Sequence, residues 1–125
     1  MRSLPAGTLV LVLEDEPLIR IDIDAMLRDA GFAIVAVDTV DGARGGLAGQ
    51  FPRVAILDAL LPGGGDTFAF ARELAAAGTA IVFVTGYSPA IPEDLAIFPV
   101  VEKPFTPDDL VPSISAVLRR QRGEI

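Results

Sequence analysis

The 125-residue sequence contains no cysteine and no histidine, and its basic residues are few. Without cysteine there is neither a disulfide nor thiol chemistry. That fits a reducing cytosol, although a cysteine-free secreted chain reads the same way. Without histidine the chain can neither carry a phosphohistidine nor run a Ser-His or Cys-His mechanism. Any phosphate that comes from a histidine must come from another protein. Lys and Arg total 10 against 17 Asp and Glu, for a net charge of −7 and a sequence pI near 4.4. Such a surface repels a phosphate backbone. The one basic cluster, Arg119, Arg120 and Arg122, reads as favourable charge at a helix C-terminus. Nucleic acid is therefore not expected as a direct partner. No apolar run reaches the roughly 18 residues needed to span a bilayer. The N-terminus lacks the basic start, apolar stretch and cleavage site of a signal peptide. The expectation is a soluble, cytoplasmic protein with no membrane partner.

Apolar residues, by contrast, make up 51% of the chain. The length favours a single domain over residues 1–125, with its core at about 8–120. At this size about two-thirds of the unfolded surface is buried on folding, which suffices without staples. Five apolar runs recur, at residues 9–13, 33–37, 54–57, 80–84 and 100–101. They are rich in Val, Ile and Leu and mostly do not alternate with polar residues, as expected of strands buried on both faces of a parallel sheet.

Helix-like segments lie between these runs. Residues 17–30 place Leu18, Ile19, Ile23, Met26 and Leu27 at helical spacing, and Gly31 follows as a stop. Asp41 is a candidate cap for a short helix to Gly49, weakened by Gly42, Gly45 and Gly46. Residues 66–77 carry Phe68, Phe70 and Leu74 on a helix ended by Gly78. Thr106 or Pro107 opens the last helix, with Asp108 and Asp109 in its first turn and arginines in its last. Where a fourth helix should stand, Pro89 and Pro92 predict a short or irregular one, at about residues 92–96. The alternation indicates an α/β doubly wound sheet.

The polar residues fall at the ends of the runs. The first run ends in Glu14, Asp15 and Glu16, the third in Asp58, the fourth in Thr85, and the fifth in Glu102 and Lys103. In a parallel sheet these ends share one edge, where open α/β sheets bind ligands. In a flavodoxin-like strand order of 2-1-3-4-5, the first and third strands are neighbours. Asp15 and Asp58 then face each other, flanked by Thr85 and Lys103, while Asp38 falls to one side. Two carboxylates about 4 Å apart repel by roughly 4 kcal/mol at an effective dielectric near 20. A hard divalent cation such as Mg²⁺ relieves that repulsion. Cation, ammonium and hydroxyl together make a receptor for a transferring phosphoryl group, with Asp58 as the attacking carboxylate. A lone strand-end aspartate is otherwise a helix cap or a solvated charge, and Glu16 reads as a first-turn acid of the first helix.

The stretches LVLVLEDEPLIR, VAILDALLPGG, VFVTGY and VEKPF, in this order, resemble the receiver domains of two-component response regulators. The match runs from about Leu9 to Leu118. The resemblance implies that Asp58 is the phosphoacceptor and that Glu14 and Asp15 are the acidic pair for Mg²⁺. Asp15 would be the direct ligand and Glu14 would act through water, with the backbone carbonyl of Leu60 completing the site. It further implies that Thr85 is the switch hydroxyl and that Lys103 is the family lysine, its bond to Pro104 usually cis. A sensor histidine kinase or a histidine phosphotransfer protein would dock near the first helix and donate. The domain would be a switch rather than an enzyme, limited to taking up and hydrolysing its own phosphate, with a protein target downstream.

Two departures stand out. Val100 occupies the position where the family commonly has an inward-swinging Tyr or Phe. Phe83 to Tyr87 resembles the atypical FAT GUY regulators, which are often single-domain, and Tyr87 is a candidate substitute for the missing aromatic. No output domain is recognisable in the sequence, and association with a second copy is left open. The rival readings are a flavodoxin-like FMN binder, which the acids after the first run disfavour, and a pseudo-receiver that serves only as an interaction module. Gly63, Gly64 and Gly65 are not followed by Lys-Ser or Lys-Thr, so they do not form a P-loop.

Overall fold

The computed structural model describes residues 7–61, 67–86 and 91–121. Its five strands are β1 (Leu9–Leu13), β2 (Ala33–Val37), β3 (Val54–Asp58), β4 (Ala80–Thr85) and β5 (Val100–Glu102). Its helices are α1 (Pro17–Asp29), α2 (Val40–Leu47), α3 (Thr67–Ala76) and α4 (Pro107–Gln121), with a single 3₁₀ turn at Glu93–Leu95. The sheet is parallel throughout, in the order β2-β1-β3-β4-β5. This is the doubly wound, flavodoxin-like architecture expected from the alternation of elements.

Strand residues alternate between two cores because successive side chains point to opposite faces. On one face Val10, Val12, Val54, Ile56, Val82 and Val84 pack against Ile23 and Leu27 of α1 and against Leu110, Ile114, Val117 and Leu118 of α4. On the other, Leu11, Leu13, Ala55, Leu57, Ile81 and Phe83 meet Ala43 and Leu47 of α2, Phe70, Ala71 and Leu74 of α3, and Leu95 of the 3₁₀ turn. Burial on both faces is the physical reason that β3 and β4 show no polar alternation.

Several local expectations are corrected. The cap of α2 is Thr39, whose Oγ1 accepts from the Gly42 N–H at 2.9 Å, so Asp41 lies inside the first turn rather than capping. The helix ends at Leu47, with Ala48 and Gly49 in left-handed conformations. One of its glycines is required by packing. A Cβ on Gly46 would lie 2.7 Å from Val35 Cγ1, so a glycine lets α2 sit directly on β2. Leu18 is 78% exposed and lies off the buried stripe of α1. Glu16 precedes α1 as its cap residue without a side-chain cap bond, and no acid stands in the first turn. α4 begins at Pro107, and Asp109 reaches back to accept from the Thr106 N–H at 2.8 Å. The strands β3, β4 and β5 each extend one residue beyond their apolar runs, through Asp58, Thr85 and Glu102.

Among the described residues of the proline-broken segment the one helical element is the 3₁₀ turn, which Leu95 anchors in the core at 2% exposure. Arg72 of α3 binds Asp94 through Nε, at 2.8 Å, and Nη2, at 3.3 Å. Among the described residues, no helix is long and apolar enough to cross a membrane.

Candidate functional site at the C-terminal edge of the sheet

β1 and β3 pair directly, from Val10 with Val54 to Leu13 with Leu57, so they end side by side. Glu14 continues the ladder one residue past β1, donating its N–H to Val37 O at 3.0 Å. Asp58 is the last residue of β3. Both acids are buried, whereas Asp15 is half-buried. One carboxylate oxygen from each of Glu14, Asp15 and Asp58 lies within 4.8 Å of the other two. The structure thus brings together the three acids singled out in the sequence. Asp38 is exposed and stands outside the cluster.

Lys103 follows β5, which is held against β4 by the Lys103 N–H donating to Thr85 O at 2.8 Å. Its peptide bond to Pro104 is cis. The ammonium enters the acidic cluster, with Nζ 3.2 Å from Asp58 Oδ2 and 2.7 Å from Glu14 Oε1. The first contact is a hydrogen bond. The second is a close ion pair off the hydrogen-bond line, so Glu14 Oε1 is buried without an aligned donor among the described residues. Asp58 Oδ1 accepts from the Leu60 N–H at 3.0 Å. Thr85 is fully buried at the end of β4, with Glu102 opposite it in register. Leu60 lies two residues beyond Asp58 with its side chain 38% exposed. Val100 is 42% exposed on β5. Tyr87 and Gly63 to Gly65 lie outside the described residues.

The electrostatics follow from burial and crowding. Burial pushes the Asp58 carboxyl up to about 7; a hydrogen bond with Asp15 and the charge of Glu14 push the same way, and the Leu60 N–H and Lys103 pull against them. Burial draws Lys103 down, but pairing with Glu14 and Asp58 outweighs it and holds the ammonium above its ordinary range. A carboxylate pocket that holds back one ionisation is short of positive charge. Hard oxygen donors with a deficit of positive charge, one of them a buried oxygen lacking an aligned donor, fit a divalent cation of the Mg²⁺ type.

Two features of the site were not foreseen. Arg20 on α1 donates from Nη1 to the Glu14 carbonyl at 2.9 Å, clamping the loop between β1 and α1. Its only sequence signal is its place one helical turn into α1, which many surface arginines share. The contact between Glu14 and Lys103 has no signal in spacing, because it depends on the reach of two long side chains.

A family model described as the response regulator receiver domain matches residues 10–115. Among curated proteins, the transcriptional regulatory protein PdtaR of Mycobacterium tuberculosis is 33% identical over 120 residues, covering 90% of this chain. The chain spans 58% of that relative's length. Among solved structures, SdrG from Sphingomonas melonis Fr1 is 35% identical with a TM-score of 0.77, over 92% of this chain and 99% of that one. A response regulator receiver protein from Sinorhizobium medicae WSM419 is 26% identical with a TM-score of 0.76, over 95% and 99% of the two chains. With the sheet order, the acidic edge and these likenesses in agreement, the chain belongs to the response regulator receiver domain family.

Proposed function

We propose that Asp58 accepts a phosphoryl group from a phosphohistidine on a sensor histidine kinase or histidine phosphotransfer protein, and that the resulting charge changes the surface offered to a protein target. The observation that carries this reading is a buried aspartate at the end of β3, within reach of two further acids and touched by an ammonium. As this chain contains no histidine, the donor histidine is supplied by the partner.

In the transfer, an Asp58 carboxylate oxygen forms the new O–P bond while the P–N bond to the donor imidazole breaks. The bonding pair returns to that nitrogen, and because the second ring nitrogen of the partner's phosphohistidine carries the proton, the leaving group is neutral imidazole. Asp58 must be ionised to attack, and its carboxyl near 7 in the metal-free protein opposes this. Asp15 and Asp58 would hold Mg²⁺ directly, Glu14 through water, and the Leu60 carbonyl would complete the set. When bound, the cation supplies positive charge that favours the carboxylate and the incoming phosphoryl oxygens. Lys103 meets one phosphoryl oxygen, and Thr85, at the end of β4, reports the new group to the 3₁₀ turn and β5.

The domain acts as a switch rather than as an enzyme on other molecules. In this reading residues 1–125 form one receiver domain, akin to the atypical FAT GUY group. Val100 supplies no aromatic switch, and Tyr87 takes part of that role. The test is phosphorylation with acetyl phosphate and Mg²⁺, with the site located by mass spectrometry. Wild type gains a phosphate on Asp58, and Asp58→Asn gains none. An unmodified wild type, or a phosphate on another residue, overturns the reading in favour of a pseudo-receiver.

A further inference from the structure

Lys103 lies between two carboxylates, and the nearer of them is not Asp58. Nζ is 2.7 Å from Glu14 Oε1 and 3.2 Å from Asp58 Oδ2. Glu14 is itself fixed at three other points. Its N–H donates to Val37 O at 3.0 Å, its carbonyl accepts from Arg20 Nη1 at 2.9 Å, and Oε2 accepts from the Glu16 N–H at 3.0 Å. With the backbone and the far oxygen held, the near oxygen faces one direction, toward Lys103. The side chain of Glu14 is fully buried, so water does not screen this pair as it would at the surface. Lys103 is also the only lysine in the sequence, the remaining nine cationic side chains all being arginine. An ammonium is a compact charge on a flexible stem, so a second carboxylate at ion-pair distance can fix where it sits without taking an aligned hydrogen bond.

We propose that Glu14 is a positioning residue that sets Lys103 over Asp58, a role separate from any part it takes in holding a cation. The proposal rests on the reading of Asp58 as phosphoacceptor. Its geometric core is side-chain length. An aspartate at position 14 would keep the charge and lose at most one carbon–carbon bond of reach, about 1.5 Å. That would open the 2.7 Å contact to as much as the roughly 4 Å limit of an ion pair. A charge-only or metal-only role for Glu14 predicts that Glu14→Asp behaves as wild type. The positioning role predicts that it does not.

The experiment uses the single lysine as its own reporter. With ¹⁵N-lysine labelling, the metal-free wild type should give one ammonium signal, protected from exchange with water. Glu14→Asp should lose that protection while circular dichroism shows it folded. Phosphorylation by acetyl phosphate is then measured with each protein saturated in Mg²⁺, which removes any change in metal affinity. The rate should fall by about ten- to a hundredfold in Glu14→Asp, since a misplacement of about 1 Å can cost about 10²-fold. In a Lys103→Met background the same substitution should change nothing. An unprotected lysine in wild type, equal protection or equal rates in Glu14→Asp, or effects that multiply in the double variant would each overturn the proposal. If wild type takes no phosphate on Asp58, the functional reading fails, and the ammonium signal still decides whether Glu14 holds Lys103.

Discussion

In the metal-free protein, replacing Asp58 with asparagine should stabilise the fold, and the gain should grow with pH. The Asp58 carboxyl lies at about 7 in the folded chain against 3.8 unperturbed, with burial as the first cause. A folded value above the unfolded one means that the folded state binds the proton more tightly. Relative to a side chain that does not titrate, the contribution of Asp58 is fully present below about pH 4 and is lost as pH rises to about 7. Each unit is worth about 1.4 kcal/mol, so the full shift corresponds to roughly 4 kcal/mol above pH 7 and about 2 kcal/mol at pH 5. Asp58 sits at the edge of the sheet rather than deep in the core, where solvent screens part of the effect, and about half of these values is a fair lower bound. The advantage of Asp58→Asn over wild type should therefore widen by about 1–3 kcal/mol between pH 5 and pH 8. Urea denaturation with EDTA, at both pH values for both proteins, measures it. Mg²⁺ should narrow the gap, because a ligand at 100 times its dissociation constant adds about 2.7 kcal/mol to the state that binds it. A gap that stays constant with pH, or an asparagine variant less stable at pH 8, would refute the reasoning that burial and like charge strain this carboxylate.

The two neighbouring glycines of α2 should respond with opposite signs. Gly45→Ala places a Cβ in open space and should raise stability by about 0.5–1 kcal/mol through helix propensity. Gly46→Ala drives a Cβ to 2.7 Å from Val35 and should lower it by about 1–3 kcal/mol; equal shifts in thermal melts of the two variants would contradict the close approach of α2 to β2. Leu95→Ala should lose about 2–3 kcal/mol, because this buried side chain holds the 3₁₀ turn to the core. Its hydrogen exchange should rise first in that turn, and protection unchanged there would mean that other contacts hold the segment.

The sheet was legible because a parallel strand covered on both faces has to be apolar at nearly every position. The same logic made the strand ends look too early. A run is read as stopping at its last apolar residue, but main-chain pairing does not depend on polarity. Asp58 pairs with Val84, and Thr85 with Glu102, as regularly as their apolar neighbours do. The cap of α2 was misread because Thr39 and Asp41 are both good cap residues. Which one caps depends on which residue has extended backbone, and here that is Thr39. The acids and the lysine at the edge were legible as a group, since strand order alone decides which ends meet. Their pairing was not. Whether Lys103 leans on Asp58 or on Glu14 is set by side-chain torsions and by the Arg20 clamp, neither of which leaves a periodic trace.

Lack of cover is the other consequence of the broken fourth helix. In β5, Val101 is buried against α4, but Val100 faces the side where only three residues of 3₁₀ helix stand, and it remains 42% exposed. Ile97, just before it, is 62% exposed. A full helix would cover more of these residues, but Pro89 and Pro92 oppose one, since a proline in a helix interior loses a hydrogen bond and clashes with the preceding turn. Leu95 therefore supplies the apolar anchor of the turn, and Arg72 with Asp94 adds an exposed tie to α3. Ile91 and Phe98 on the turn's flanks add partly buried packing, and Arg120 of α4 donates to the Ile97 carbonyl. The segment lies beside the strand that ends in Thr85 and is continuous with the one leading to Lys103. In the proposed switch, a small displacement of either residue would reach this partly covered part of the sheet's edge, where it can change the surface without disturbing the two cores.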